Sequence, residues 1–377
     1  MNIGFDAKRL YNNRSGLGNY SRTLVGQLAG EHPDDRYLLY TPKVGIEVDF
    51  ASAPNVRTVL PGGPWRAGGS LWRTYAVAGA ARREGLDIFH GLSHELPVGI
   101  ERTGVRSVVT IHDLIFMRHP EYFPAVDRWI YGRKVRYATR VADAIVAISR
   151  QTRQDLIDLL GVPEEKIHVV YQSVAPAYRP GADACGADGR DDRLEGLGLP
   201  PDFILCVGTI EARKNQMALA AALQALPREV HLVLVGRRSG SYGKRLDDFL
   251  TRSGLSDRVH FLPGVSSARL AALYRRCRFV AYPSFYEGFG LPIVEALGSG
   301  KAVLTSQGGC FSEAGGPGAL YVSPHDVQAV AEAMRTLWDD ASLRSRLAGE
   351  GAAYIRRFSD AGTSQRMYDL YRRLAER

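Results

Sequence analysis

The chain has 377 residues, which is too long for one ordinary domain and predicts two. Its 45% hydrophobic and 23% charged residues exclude a disordered or fibrous protein and indicate a soluble globular one. The formal net charge of +8 is spread over both halves, which argues against a nucleic-acid-binding arm and leaves phosphorylated ligands or an anionic membrane surface as candidate partners.

Short β-branched runs alternate with helical stretches through the first half. The predicted strands of this half are 3–5, 37–40, 56–60, 87–90, 107–111, 144–148 and 167–171. Helices are predicted over 18–28 and 128–141, and the polar residues 8–14 are predicted to form a loop. Continuous apolar strands separated by helices indicate a parallel sheet covered on both faces.

A segment rich in Gly, Pro, Asp and Ala at 179–201 is typical of a linker, and the same pattern resumes after it. The predicted strands of the second half are 203–207, 231–235, 259–262, 279–282, 302–305 and 320–322. Successive helices follow residue 326, and Ser359 is expected to cap the last of them. We therefore predict an α/β protein with two Rossmann-like, doubly wound domains facing across a cleft. The predicted segments are the first domain 1–180, the linker 181–200, the second domain 201–358, and a final helix over 359–377 that crosses back to the first domain.

The four cysteines are far apart, and no two have the spacing of a zinc ribbon or a redox pair. A reducing compartment is therefore expected. Charged residues interrupt the N-terminus too early for a signal peptide, and no uncharged apolar run has the roughly 18 residues that a membrane span needs. We expect a cytoplasmic protein that is at most peripheral on the inner face of a membrane.

The segment with the strongest chemical signal is 282–297 (YPSFYEGFGLPIVEAL), between a predicted strand and a helix that Pro292 can open. Its glycines let a ligand approach the backbone, and free N–H groups at a helix start favour an anion. Glu287 in the loop and Glu295 in the expected first turn of the helix would face one pocket and accept hydrogen bonds from hydroxyls, as on sugars. The alternative is a plain strand–turn–helix joint in which Glu295 complements the helix dipole.

A second candidate segment is 207–215 (VGTIEARKN), directly after the first strand of the second half. Arg213 and Lys214 follow the carboxyl end of a strand, where α/β folds bind ligands, and together they suit a diphosphate. Taken alone, the segment is more typical of a solvated basic turn.

Two features of the first half give weaker evidence for a functional site. The residues 15–20 (SGLGNY) fail the dinucleotide-binding fingerprint, because Ser21 occupies the third glycine position and the glycines follow the first strand only after a long polar segment. His112 and Asp113 end a predicted strand, although a lone histidine is usually structural.

These residues carry a resemblance. The spacing from Glu287 to Glu295, with Pro-Ser before it and ALGSGKAV after it, resembles the signature of retaining glycosyltransferases of the GT-B fold, specifically glycosyltransferase family four. Residues 208–215 are similar to the family's Gly-Thr-x-Glu-Pro-Arg-Lys-Asn form, with Ala212 in place of Pro. Further similar segments are 109–114 (VTIHDL), 142–149 (ADAIVAIS) and 321–326 (YVSPHD).

The resemblance implies an N-terminal acceptor domain, a C-terminal domain that holds a nucleotide-sugar, and a hinge in the linker. Glu295 would bind the ribose hydroxyls, and Glu287 with the backbone of 288–291 would hold the transferred sugar. The implied donor-binding residues are Gly16, Gly18, Arg213, Lys214, Val265, Gly288, Phe289, Gly290, Leu291 and Glu295. The implied catalytic residues are His112, which would touch the donor sugar, and Glu287.

One position departs from the pattern. Many family members carry an Arg directly after the glycine where this chain has Thr209, so the phosphate role depends more heavily on Arg213 and Lys214. The implied mechanism is a front-face substitution that needs no protein nucleophile. No D-x-D motif or histidine ligand pair is present, so we expect neither an essential metal nor a cofactor.

Trp129, Arg133, Arg136 and Arg140 fall on one face of the helix predicted over 128–141. This face could attract anionic lipid or a lipid-linked acceptor, or it could be an ordinary solvated basic face.

The expected function is transfer of a sugar, mannose from GDP-mannose first and a UDP-sugar second, to a hydroxyl of a glycan or lipid-linked oligosaccharide in cell-surface polysaccharide synthesis. A nucleotide-sugar epimerase or isomerase and a non-catalytic carbohydrate-binding protein are the alternatives. No nucleic-acid partner is expected.

Overall fold

The computed structural model describes residues 1–13, 16–66, 68–179, 192–238 and 240–376. The chain divides into two compact units, Met1–Ser173 with Phe358–Arg377, and Val174–Arg357. Residues 181–191 of the predicted linker, Cys185 among them, lie outside the described residues, as does the predicted boundary at 180.

The first unit is built on a parallel sheet of seven strands. These strands are β1 Asn2–Asp6, β2 Arg36–Tyr40, β3 Val56–Val59, β4 Ile88–Gly91, β5 Arg106–Ile111, β6 Ala144–Ala147 and β7 Ile167–Val169. They lie in the order β3-β2-β1-β4-β5-β6-β7, and Ile3 pairs with Tyr37 on one side and Ile88 on the other. The helices before the second unit are α1 Lys8–Asn12, α2 Gly16–Glu31, α3 Gly69–Tyr75, α4 Val77–Arg83, α5 Ile115–Arg118, α6 Ala125–Val141 and α7 Arg150–Leu160.

The loop predicted over residues 8–14 is wrong for most of its length, because Lys8–Asn12 forms helix α1. Leu10 and Tyr11 of this helix are buried, and the Tyr11 hydroxyl lies 2.6 Å from Thr58 Oγ1. Two apolar residues among polar ones are too few for a periodicity signal, so the helix depends on tertiary packing.

The second unit is built on a parallel sheet of six strands. These are β8 Ile204–Val207, β9 Leu232–Val235, β10 Val259–Leu262, β11 Phe279–Tyr282, β12 Val303–Ser306 and β13 Ala319–Val322. Their order is β10-β9-β8-β11-β12-β13, so β8 and β11 are neighbours although about 70 residues separate them in sequence. The helices are α8 Gln216–Leu223, α9 Gly240–Arg252, α10 Ser267–Arg276, α11 Leu291–Gly298, α12 Gly309–Gly315, α13 Val327–Asp339 and α14 Ala341–Tyr354.

The last helix, α15 Asp360–Ala375, belongs to the first unit. Ser359 caps it as predicted, since its Oγ accepts a hydrogen bond from Gly362 N–H. Met367, Leu370 and Tyr371 are buried in the same apolar cluster as strand β1, so α15 completes the core of the first sheet.

The prediction of an α/β protein with two doubly wound parallel sheets is confirmed. Strands such as β4 and β6 are buried along their whole length, which explains their continuous apolar sequence. Among the described residues, no helix is long and apolar enough to cross a bilayer.

Candidate functional site

Two loops meet at the carboxyl ends of the neighbouring strands β8 and β11. Phe285 N–H donates to the carbonyl oxygen of Arg213 at 2.8 Å. The Asn215 side-chain amide donates to the carbonyl oxygens of Pro283 at 3.2 Å and Pro324 at 2.8 Å. Asn215 has φ of +57°, a left-handed conformation that Asn tolerates better than most residues. These bonds fix the loop over 208–215 against the loop over 283–290.

The two loops bring three charged side chains into direct contact. Arg213 Nη1 lies 2.7 Å from Glu287 Oε2, and Lys214 Nζ lies 2.6 Å from Glu287 Oε1. The Tyr282 hydroxyl donates to the same Glu287 Oε1 at 2.8 Å and also contacts Lys214 Nζ. Arg213 also pairs with Glu211 at 2.7 Å. We call Arg213, Lys214 and Glu287 the ion cluster.

The ion cluster is largely shielded from solvent, since the side chains of Arg213, Lys214 and Glu287 are 14%, 13% and 10% exposed. Burial alone would raise the pKa of Glu287, but Arg213 and Lys214 outweigh it and lower this pKa to about 2. Burial would lower the pKa of Arg213, but the carboxylates of Glu287 and Glu211 raise it instead. Burial and Glu287 together raise the pKa of Tyr282, so its hydroxyl remains a donor. Arg213 and Glu287 are therefore ionised at neutral pH, and the same carboxylate holds Lys214 Nζ in place.

Two glycines allow the backbone to pass close to this cluster. Gly208 has φ of +145°, and a Cβ there would lie 3.3 Å from Lys214 Cε. Gly236 has φ of +153°, and a Cβ there would lie 2.0 Å from the Gly208 carbonyl oxygen. A side chain at position 236 would therefore separate the loops after β8 and β9. The sequence patterns single out neither Tyr282 nor Gly236, because their roles arise from contacts between distant segments.

The predicted glycine-rich turn lies between Glu287 and α11. Gly290 precedes the helix with φ of +102°, and Phe289 is buried. Helix α11 begins at Leu291, one residue before the predicted start at Pro292. Glu295 is consequently the fifth residue of α11, so the prediction that it lies in the first turn is wrong.

Glu295 and Glu287 have different partners. The Tyr274 hydroxyl donates to Glu295 Oε2 at 2.8 Å, and the Tyr274 ring packs edge-on against Tyr178 with 5.4 Å between ring centroids. Burial raises the pKa of Glu295 to about 7, against a smaller opposing effect of the Tyr274 hydrogen bond. One carboxylate is thus held ionised by cations, whereas the other titrates near neutrality.

Val265 lies in the loop between β10 and α10, where Ser266 caps the helix. Strand β10 is at the edge of the sheet, and β9 and β8 lie between it and β11. Val265 follows the carboxyl end of β10, and the ion cluster lies at the carboxyl ends of β8 and β11, so both are on the same side of the sheet. Three strand spacings, roughly 14 Å, separate β10 from β11, so Val265 lies at the periphery of the candidate site.

The remaining predicted residues are in the first unit. Gly16 is the first residue of α2, and Ser15 before it lies outside the described residues. Gly18 N–H donates to Asn13 Oδ1 at 3.3 Å, and a Cβ on Gly18 would lie 1.8 Å from the Asn13 carbonyl oxygen. Glycine at position 18 is therefore required by a backbone contact within this unit.

His112 follows β5 and is buried with both ring nitrogens in use. Its Nε2 donates to the Leu92 carbonyl oxygen at 2.9 Å, so its Nδ1 accepts from the Gln172 side-chain amide at 3.1 Å. Its backbone N–H donates to His94 Nε2 at 3.0 Å. Burial and the neighbouring His94 lower the pKa of His112 to about 3, so the ring is neutral at pH 7. His94 has φ of +61° and was not found by sequence reasoning.

Comparison with known proteins identifies the family. Residues 190–353 match the family described as glycosyl transferases group 1, and residues 14–178 match glycosyltransferase family 4. O-antigen chain mannosyltransferase B of Escherichia coli is 32% identical over 294 residues, which cover 76% of this chain and 74% of that protein. The chain is a group 1 glycosyltransferase. The predicted resemblance and the predicted enzyme class are both confirmed.

A second relative and a solved structure are also similar to this glycosyltransferase. D-inositol 3-phosphate glycosyltransferase of Xylanimonas cellulosilytica is 33% identical over 74% of this chain and 68% of that protein. The structure of Anabaena HepE in complex with UDP and glucose superposes with a TM-score of 0.76 at 22% identity, covering 98% of this chain and 99% of HepE. This likeness confirms the predicted GT-B fold.

Among the residues that the structure describes, no group of three or more His, Cys, Asp and Glu side chains could hold a metal ion. Cys206, Cys277 and Cys310 are buried free thiols.

Proposed function

We propose that this glycosyltransferase moves mannose from GDP-mannose, with retention of configuration, to a hydroxyl of a glycan or lipid-linked oligosaccharide in cell-surface polysaccharide synthesis. The observation that carries the proposal is the ion cluster at the carboxyl ends of β8 and β11. The cations of two adjacent residues suit the two phosphates of a nucleotide-sugar, and ligands of α/β sheets bind at the carboxyl ends of the strands.

Glu287 gives the cations a fixed position before the donor arrives. Arg213 and Lys214 each contact the Glu287 carboxylate, which orients both side chains. The two side chains therefore need little rearrangement when the diphosphate binds. In this arrangement they would stabilise the negative charge that develops on the departing nucleoside diphosphate. The same phosphate would help to deprotonate the acceptor hydroxyl, so no protein nucleophile takes part.

Glu295 would accept hydrogen bonds from the ribose hydroxyls. Only its ionised form accepts from both hydroxyls, and a pKa of about 7 means that donor binding strengthens as pH rises through neutrality. The backbone between Glu287 and α11, from Gly288 to Leu291, would hold the transferred sugar, and Val265 would border the donor at the edge of the sheet.

His112 would contact the donor sugar as a neutral group. Its Nε2 proton is used by Leu92 and its Nδ1 lone pair by Gln172, so we assign the ring a positioning role and not that of a general base. Gly16 and Gly18 would bring the start of α2 close to the ligand. We expect no metal requirement, so turnover should be the same in EDTA and in magnesium.

The choice of mannose depends on the E. coli relative, which is named as a mannosyltransferase. A UDP-sugar is the second candidate, since HepE has this fold and binds UDP and glucose. A thermal-shift panel with GDP, UDP, ADP and dTDP separates the nucleotides. A ligand at 100 times its Kd adds about 2.7 kcal/mol to the free energy of unfolding. If none of the four raised the Tm, the donor site would be refuted.

An epimerase or isomerase acting on the same nucleotide-sugar would need no acceptor. Release of nucleoside diphosphate is therefore measured with and without mannose-terminated oligosaccharides. A glycosyltransferase releases it in proportion to the acceptor, whereas an epimerase converts the sugar and releases none.

Contact with an anionic membrane is part of the proposal. Helix α6 presents Arg136 and Arg140, which line a groove of about 510 Å³ together with Lys166, and Val126 on the same helix is largely exposed. Basic and apolar side chains on one helix are typical of an interfacial helix. Co-sedimentation with phosphatidylglycerol vesicles, but not with phosphatidylcholine vesicles, tests this contact, and Arg136→Glu with Arg140→Glu should abolish it.

A further inference from the structure

A cavity of about 380 Å³ lies within the first unit, and none of the residues proposed above to bind the donor lines it. Its volume is at the lower end of the range for small-molecule sites, which is roughly 300–1,000 Å³. Strand β1, helix α3, the segment after β4 and helix α6 contribute to its lining. The lining residues that matter for its chemistry are Asp6, Arg73, Glu95, Trp129, Arg133 and Lys134.

Four of these side chains form a paired ionic network. Arg73 Nη1 lies 2.6 Å from Asp6 Oδ2, the other terminal nitrogen of Arg73 pairs with Glu95, and Lys134 Nζ lies 3.1 Å from Glu95 Oε1. The Arg73 and Asp6 side chains are 10% exposed each. Because the two cations, Arg73 and Lys134, are paired with the two carboxylates, Asp6 and Glu95, this wall is polar but has no net charge.

The wall can hydrogen-bond a ligand. Lys134 is 40% exposed, and its ammonium has three N–H donors, of which the contact with Glu95 uses one, so donors remain available in the wall. Burial would raise the pKa of Glu95, but Arg73 and Lys134 lower it, so Glu95 is an ionised acceptor at neutral pH. Donors and acceptors thus stand side by side, as hydroxyl groups require.

The rim of the cavity is aromatic. Trp129 is 63% exposed and Tyr75 is 60% exposed, although both also line the cavity. The Arg133 guanidinium lies 5.1 Å from the Trp129 ring centroid, and no carboxylate of the described residues pairs with it. An indole this exposed beside a polar cavity marks a contact surface for a ligand.

We propose that this cavity binds a sugar ring of the acceptor glycan, an inference that rests on the function proposed above. The apolar C–H face of a pyranose would lie against Trp129, and its hydroxyls would bond to Glu95 and Lys134. A phosphate fits this cavity less well than a sugar ring does, because it has no apolar face to lie against Trp129.

Binding is tested without any donor. Saturation-transfer NMR and isothermal titration are run on the full chain with trisaccharides of α-linked mannose, glucose, galactose and rhamnose, and with inorganic phosphate as a separate probe. We expect at least one trisaccharide to bind and Trp129→Ala to weaken it about tenfold. Trp65→Ala, which removes another surface tryptophan outside the cavity lining, is the matched control and should leave the affinity unchanged.

A second variant tests the polar wall. Glu95→Gln keeps the shape of the side chain but removes the charge that Arg73 and Lys134 share, and Glu164→Gln, at an exposed ion pair, is its control. In transfer assays, Trp129→Ala and Glu95→Gln should raise the acceptor KM about tenfold while the donor KM changes less than twofold. Circular dichroism and the Tm verify that each variant is folded.

Three results would overturn the assignment: no trisaccharide binds, phosphate displaces the bound trisaccharide, or Trp129→Ala and Glu95→Gln both leave acceptor affinity unchanged. If every nucleotide-sugar failed to support transfer while a trisaccharide still bound at Trp129, the proposed transfer reaction would be refuted and the saccharide site would stand.

Discussion

Glu287→Gln is the substitution for which the structure gives the largest and best-defined effect. The folded protein holds the pKa of Glu287 at about 2, against an ordinary value of 4.5. At about 1.4 kcal/mol per pKa unit, this difference corresponds to about 3 kcal/mol of stability from the ionised carboxylate. Since the pKa is lower in the folded state, that stability is present above pH 4.5 and is lost as pH falls towards 2.

The amide of Gln cannot balance the two cations: Arg213 keeps its pair with Glu211, but Lys214 loses the carboxylate that it contacts. Breaking a buried pair from one side costs about 3–5 kcal/mol, so we expect a loss of this size at pH 7. Between pH 7 and pH 3 the difference in stability from wild type should narrow by about 2 kcal/mol, because the wild-type carboxylate loses more than half of its contribution over this range.

The assay is urea unfolding followed by the fluorescence of Trp338, the only tryptophan of the second unit, with the three others replaced by Phe. Glu211→Gln is the matched control. Glu211 also pairs with Arg213 at 2.7 Å, but it is 33% exposed, so we expect less than about 1 kcal/mol. Equal stability of Glu287→Gln and wild type at pH 7, or equal losses for both substitutions, would refute this account of the cluster.

Three further predictions follow from the same unit. Lys214→Met should lower kcat at least 100-fold in a nucleoside diphosphate release assay, because a cation next to the leaving group is lost; the exposed Lys244→Met is the control, and a less than threefold effect on kcat would contradict the assignment. The donor KM of the wild type should rise about tenfold from pH 8 to pH 6, because Glu295 is protonated below its pKa of about 7; Glu295→Gln should abolish this dependence. Gly236→Ala should destabilise the protein by more than about 2 kcal/mol in urea unfolding, since its Cβ would lie 2.0 Å from the Gly208 carbonyl oxygen.

Much of the fold follows from the sequence alone. The alternation of apolar strands and helices predicts all thirteen strands of the described residues. No predicted strand end differs from the observed one by more than two residues. Helix α1 was missed because its buried residues, Leu10 and Tyr11, are too few to set a period. Its stability comes from the core that other segments supply.

The sequence predicts those residues of the candidate site that lie together in one short motif. Glu287, Arg213 and Lys214 were found from two motifs, but the ion pairs between them were not, because these link residues more than 70 positions apart. The tyrosines at positions 274 and 282 were missed for a different reason, since they are only 21 and 5 positions from the carboxylates that they contact. Tyr274 lies in helix α10 and Tyr282 ends strand β11, and only the folded unit brings each hydroxyl to a carboxylate.

The most direct test of the central claim is the product of one reaction. The protein is incubated with GDP-mannose and an α-linked mannose trisaccharide, and the product is analysed by mass spectrometry and proton NMR. We predict addition of a single hexose in the α-configuration, as in the donor, with one GDP released per transfer, and loss of this product in Lys214→Met. A product with inverted configuration would contradict the retaining mechanism. No hexose transfer from GDP-mannose or from UDP-, ADP- and dTDP-sugars would contradict the proposed function.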